Sequence, residues 1–189
     1  MTVGAALQAI RRGLIVGVPT DTVYGVAVDP TNPAAVRRLF ALKGRGHHLP
    51  LAVLVASLEQ AETLIRLTPS QRLFIRPHWP GAFTAVLRWR RALAQGVGDH
   101  HRGTLGVRMP DHRILTDLLS RSGPLAVTSA NRSGSPPALD ADGARRALGD
   151  GVSVYLDGRC DGGQASTVVD LTSSPPRILR PGPVDLDPG

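Results

Sequence analysis

Hydroxyl and cationic side chains recur where short apolar, β-branched runs of the chain end: Thr20 and Thr22, Lys43 and Arg45, Thr104 and Arg108, Ser129 and Asn131, Ser166 and Thr167, and Arg180. Groups of this kind bind phosphate and carboxylate, and they catalyse by positioning and charge neutralisation. The chain has no G-x-x-x-x-G-K-[ST] loop and no G-x-S-x-G turn, and "GVGDHHRG" (residues 96–103) has neither the spacing nor the preceding strand of a dinucleotide fingerprint. Neither Ser129 nor Cys160 has a histidine nearby in sequence that would mark it as a nucleophile. His47, His48, His100 and His101 come as adjacent pairs rather than at i, i+3 or i, i+4 spacing, so no metal site is expected.

Of the 22 basic residues, Lys43 alone is lysine and the rest are arginine. A compact ammonium kept against that bias suggests a site for which a planar guanidinium is the wrong shape. Each segment also has a plainer reading. Lys43 and Arg45 follow a helix, where cations complement the C-terminal dipole. "VTSANRSGSPP" (Val127–Pro137) fits either a phosphate cradle of hydroxyls and backbone N–H groups or an Asx or Ser turn. Arg180 in "ILRPG" is either a ligand group or a solvated arginine before a turn. In "GVPTDTVYGV" (residues 17–26), Pro19 should interrupt strand pairing, leaving Thr20 and Thr22 either as ordinary strand residues or as hydroxyls offered to a ligand.

With 189 residues, 42% of them hydrophobic and spread along the length, the chain suits one domain with a real core. No apolar run approaches the roughly 18–20 residues that span a bilayer, and Met1–Arg12 lacks a basic region ahead of an apolar stretch, so a soluble cytoplasmic protein with no membrane partner is expected. The lone Cys160 forms no internal disulfide. A net charge of +7 points to anionic partners, nucleotide or RNA.

The elements that must position these groups alternate. Strands are expected near Leu14–Val18, Val23–Val28, Leu51–Val55, Thr84–Trp89, Leu105–Arg108, Leu125–Thr128, Val152–Leu156, Thr167–Leu171 and Arg177–Leu179. Helices are expected at Ala5–Arg12, Pro33–Leu42, Leu58–Arg66, Ser70–Arg76, Arg113–Arg121 and Ala141–Leu148, the second with Asn32 as N-cap and Gly44 past its end. The pattern implies an α/β fold, a twisted, mostly mixed open sheet with helices packed on it, with ligands just beyond the strand ends. Ser133–Asp140 reads as an exposed loop and Pro181–Gly189 as a loosely held tail.

"PTDTVYG", "KGR" with "PL", "VRMP" (Val107–Pro110), "TSANRSG", "STVVDL" (Ser166–Leu171) and "ILRPG" stand in the order and approximate spacing of the YrdC/TsaC family. The chain closely resembles its threonylcarbamoyl-AMP synthases over about residues 5–182, and implies one YrdC-like domain over 1–189. Only seven residues follow "RPG", so the short form of the synthase is expected.

The resemblance implies a nucleotidyltransferase that makes threonylcarbamoyl-adenylate and pyrophosphate from L-threonine, bicarbonate or CO2, and ATP, toward the t6A base of tRNA. It implies Thr20, Thr22, Arg108 and Ser166 around threonine, with Arg108 on the carboxylate. ATP is implied to meet Lys43, Arg45, Thr104, Ser129, Asn131, Pro137 and Arg180, with Lys43 and Arg45 catalytic and Mg²⁺ accompanying the phosphates. Proteins of t6A transfer would accept the adenylate. Three places depart from the family pattern: Gly46–Leu49 replace the usual P-S-D-N, Leu54 stands where some members carry a ligand-facing histidine, and Asp21 replaces the commoner glutamate.

Two other functions fit parts of the pattern. The charge also suits a non-catalytic module that holds double-stranded RNA or tRNA weakly by its phosphates, although seven aromatics leave little for base stacking. A carbamoyl-transfer module of the hydrogenase-maturation type would need cysteine-rich zinc segments, and one cysteine cannot supply them.

Overall fold

The computed structural model describes residues 1–44 and 50–186. Nine strands form one mixed sheet: β1 (Val16–Val18), β2 (Gly25–Val28), β3 (Ala52–Leu54), β4 (Phe83–Arg88), β5 (Thr104–Arg108), β6 (Leu125–Ser129), β7 (Val154–Tyr155), β8 (Thr167–Asp170) and β9 (Arg177–Arg180). Their spatial order is β7-β1-β2-β6-β3-β5-β4-β8-β9. The β1–β7, β3–β5 and β4–β8 pairs are parallel, and the other neighbours are antiparallel.

Among the described residues six α-helices fill the connections: α1 (Val3–Arg11), α2 (Pro33–Lys43), α3 (Leu58–Leu64), α4 (Pro69–Ile75), α5 (Arg113–Ser122) and α6 (Ala141–Leu148). Local chemistry sets their ends. Asn32 Oδ1 accepts the N–H groups of Ala34 and Ala35, Pro33 opens α2, and Gly44 closes it at φ +59°, a left-handed value that favours glycine. Thr68 and Gln71 form a reciprocal capping box on α4. Helix α3 stops short of the expected Arg66 because Ile65 turns extended and bridges to Trp89, a tertiary pairing no local signal announces.

The helices cover the two faces of the sheet unequally. On one face, Val26, Val28, Val53, Val55, Ala85, Leu87, Leu105, Val107 and Val169 join α2, α3, α4 and α6 in the larger core. On the other, α1 and α5 pack over Val16, Val18, Ala27, Leu54, Leu125 and Val154. Among the described residues no helix packs over the remainder of that second face. Strand β5 shows how alternation produces this: Leu105 and Val107 point into the larger core, whereas Thr104, Gly106 and Arg108 line the open side.

The tail is held further than the sequence suggests. Thr167 Oγ1 bonds both the N–H and the C=O of Val184 at 3.0 Å, and Val184 and Leu186 pack against the core. Strand β9 is the outer edge of the sheet, and all four of its residues are exposed. Among the described residues no helix is long and apolar enough to cross a membrane.

Candidate functional site

The open half-face is a trough of about 330 Å³, in the range of small-molecule sites. It runs across the sheet rather than beyond its strand ends, which corrects the expected placement. Small residues make the room: a Cβ on Gly106 would meet Thr84 Cγ2 at 3.4 Å and Ala52 Cβ at 3.5 Å, so glycine and alanine side by side keep the floor low. Thr20, Thr22, Thr104, Arg108, Ser129, Ser166 and Arg180 all line it.

Arg108 is 5% exposed, and three of its five N–H donors are fixed. Nε donates to Gly81 O at 2.9 Å, Nη1 to Thr22 Oγ1 at 2.8 Å and Nη2 to Asp21 Oδ1 at 2.5 Å. Among the described residues the second N–H of each terminal nitrogen meets no acceptor, which leaves the fork a pair of donors for a carboxylate. Burial pulls the guanidinium below its ordinary pKa and the Asp21 carboxylate opposes that pull; arginine remains a cation under both. Asp21, one methylene shorter than glutamate, therefore reaches Arg108.

The β1–β2 turn is organised around Thr20. Its Oγ1 donates to Val23 O at 2.8 Å, accepts the N–H groups of Thr22 and Val23, and lies 2.9 Å from Thr22 Oγ1. The Thr20 hydroxyl is thus occupied inside the turn while Thr22 faces Arg108. The Thr20 N–H meets Cys160 Sγ at 3.3 Å, and burial pushes that thiol up, which suits packing rather than nucleophilic attack. Opposite, Ser166 Oγ lies 2.8 Å from Thr84 Oγ1, and Arg180 clamps Ser166 through its carbonyl at 2.8 Å and its hydroxyl at 3.1 Å.

Lys43 is 4% exposed at the end of α2, and its Nζ donates to Ser129 O at 2.5 Å and to Asn131 Oδ1 at 3.2 Å. Asn131 is fixed in turn, donating to Ser135 O at 2.6 Å and Arg132 O at 3.0 Å. The sole lysine, the β6 end and the loop after it are therefore one polar unit that reaches the trough through Ser129, whereas Lys43 and Asn131 are not among the trough-lining residues. Pro137 is half-buried in that loop and is not among the trough-lining residues. Arg45 lies outside the described residues, as does the Leu49 substitution. Leu54 does line the trough, contributing apolar surface where a polar ligand contact was expected of the family pattern.

Asp99, Arg102 and Leu179 also line the trough, and the sequence reading did not single them out. Nothing local in "GDHHRG" shows that this segment folds against β4 and β8. Asp99 Oδ1 accepts the N–H groups of His101 and Arg102, which shapes the turn. Among the described residues no group of three or more His, Cys, Asp or Glu is placed to hold a metal ion.

A basic, hydroxyl-rich trough on a half-covered mixed sheet describes a binder of small anionic substrates, and comparison with known proteins gives the class. The Sua5/YciO/YrdC family model, described as telomere recombination, matches residues 8–182. A Mycobacterium tuberculosis chain provisionally named a threonylcarbamoyl-AMP synthase is 47% identical over 185 residues, covering 97% of this chain and 85% of that one. The threonylcarbamoyl-AMP synthase of Chromohalobacter salexigens is 38% identical over 172 residues, covering 89% and 91%. The crystal structure of Pyrococcus abyssi Sua5 complexed with L-threonine superposes with a TM-score of 0.88 at 36% identity, over 95% of this chain and 54% of that one. The chain belongs to the Sua5/YciO/YrdC family.

Proposed function

We propose that the chain is a threonylcarbamoyl-AMP synthase, a cytoplasmic nucleotidyltransferase that joins L-threonine, bicarbonate or CO2, and ATP into threonylcarbamoyl-adenylate and pyrophosphate for t6A modification of tRNA. The observation that carries this reading is Arg108, a buried cation at the trough with two donors unspent, oriented by Asp21 and Thr22. It holds the threonine carboxylate, and the Thr22 and Ser166 hydroxyls flank the rest of the amino acid. Lys43, Arg45, Thr104, Ser129, Asn131, Pro137 and Arg180 form the ATP set. The Sua5 homologue solved with L-threonine supports threonine as the amino-acid substrate.

The threonine amine adds to CO2 with loss of a proton, or condenses with bicarbonate with loss of water, to give an N-carboxylate. One oxygen of that carboxylate attacks the α-phosphorus in line, the bond to the bridging oxygen breaks, and pyrophosphate leaves with its electron pair. No protein nucleophile takes part. The protein contributes alignment and cations that offset the charge spreading over the transferring group. Asp99 is the sole carboxylate lining the trough among the described residues, and it faces backbone N–H groups. Mg²⁺ therefore belongs with the substrate's phosphates and water rather than in a protein cage. Incubation with ATP, Mg²⁺, bicarbonate and L-threonine, followed by mass detection of the adenylate, tests the proposal. Product that forms without threonine, or no product with all four present, counts against it.

A further inference from the structure

Among the described residues three arginines line the trough: Arg108, Arg180 and Arg102. The first is assigned above to the threonine carboxylate and the second, which also bonds Ser166, to ATP. Arg102 is held from several sides. Its Nη2 donates to Asp170 Oδ2 at 2.7 Å, its N–H to Asp99 Oδ1 at 3.0 Å, and its carbonyl accepts from Arg88 Nη1 at 2.5 Å. Asp170 is itself fully buried, and its Oδ1 accepts from Thr172 N at 2.9 Å and Thr172 Oγ1 at 2.6 Å.

One edge of the Arg102 guanidinium is therefore pinned. The side chain is still 47% exposed, against 1% for Asp170, and among the described residues the structure gives its Nε and Nη1 no other partner. A guanidinium already anchored on one edge loses little freedom when the other edge binds, and a planar fork of N–H donors suits phosphate oxygens. Thr104, assigned above to ATP, follows on β5 and shares the trough wall with Arg102. Thr104 and Arg108 stand roughly 13 Å apart along that strand at about 3.3 Å per residue. The carboxylate clamp and the Arg102 edge thus serve different parts of one extended ligand set.

We propose that Arg102 is a phosphate-binding residue of the trough, gripping the polyphosphate of the bound nucleotide and, after transfer, the departing pyrophosphate. The proposal rests on the synthase reading of the site. Asp170 is its positioning partner and touches no ligand.

Calorimetric titration of the full chain with ATP and Mg²⁺, pyrophosphate, AMP and L-threonine tests it. Two variants are compared with the parent, Arg102→Gln alone and Arg102→Gln with Asp170→Asn, the second sparing the buried carboxylate from losing its cation. Affinity for ATP and for pyrophosphate is expected to fall at least about tenfold in both variants, while AMP and threonine stay within about twofold. Equal losses for AMP and ATP would mean the turn has simply shifted, and unchanged pyrophosphate binding would mean that Arg102 never meets phosphate; either overturns the proposal. The parent protein separates this from the larger question. If the parent makes the adenylate and Arg102→Gln binds pyrophosphate equally well, only the role of Arg102 is lost; if the parent neither binds ATP nor forms adenylate, the synthase reading itself fails.

Discussion

The Lys43 ammonium donates to the Ser129 carbonyl and to the Asn131 amide oxygen. Lys43→Arg keeps the charge but must fit a wider, planar head group there. Adenylate formation should fall at least about tenfold, roughly 1.4 kcal/mol in the transition state, with the melting transition close to the parent's. Unaltered turnover would show that charge alone is required. Arg108 gives a sharper contrast. Arg108→Ala should raise the threonine concentration needed for half-maximal rate while ATP binding in the absence of threonine changes little, because the clamp acts on the amino-acid carboxylate. The variant leaves Asp21 without its cation, so its melting transition is measured alongside. Parallel loss of both ligands would reassign Arg108 to holding the fold.

Secondary-structure elements enter the chemistry through the face each residue takes. Gly106 sits in β5 at the floor of the trough, and a Cβ there makes only ordinary contacts. Gly106→Ala should therefore fold and bind, whereas Gly106→Leu should fold but fill the space above Ala52 and Thr84. Affinity for both substrates should then drop at least about tenfold, near 1.4 kcal/mol, without a matching loss of thermal stability. A leucine variant that binds normally would show that the ligands sit elsewhere. This floor was not legible in the sequence. Helix α2 was, because Asn32, Pro33 and Gly44 act on their own neighbours. The facing of Ala52, Thr84 and Gly106 depends on the register of β3, β5 and β4, strands brought together from distant parts of the chain. The same cause hid Arg102, whose meaning comes from Asp170 on β8. The motif residues Thr22, Arg108, Ser129, Ser166 and Arg180 were legible through their ordered spacing, and the fold gathers them around one trough.

At the scale of the whole molecule, acid stability follows from Asp170. Burial alone would raise its pKa, but hydrogen bonds from Thr172 and Arg102 outweigh that and hold the carboxyl below its usual value. A depressed folded-state pKa contributes stability above the unfolded-state value of about 3.9, and that contribution disappears as pH falls through the lower folded-state value. Asp170→Asn should consequently melt below the parent at about pH 6, with the difference shrinking toward about pH 2. A constant gap across that range would assign the loss to packing instead.

Strand β9, the exposed border of the sheet, bears on how copies of the chain coexist at high concentration. Its Ile178 and Leu179 are 49% and 44% exposed, flanked by Arg177 and Arg180. An antiparallel pairing of two such strands that set Ile178 against Leu179 would also set Arg177 directly against Arg180 of the other copy at both ends. Like charges opposite one another destabilise a strand pair, and charged residues on an edge are a common guard against sheet-to-sheet growth. Arg177 and Arg180 thus place like charges where a second copy would have to pair, so replacing both with neutral residues would leave an apolar border beside the trough.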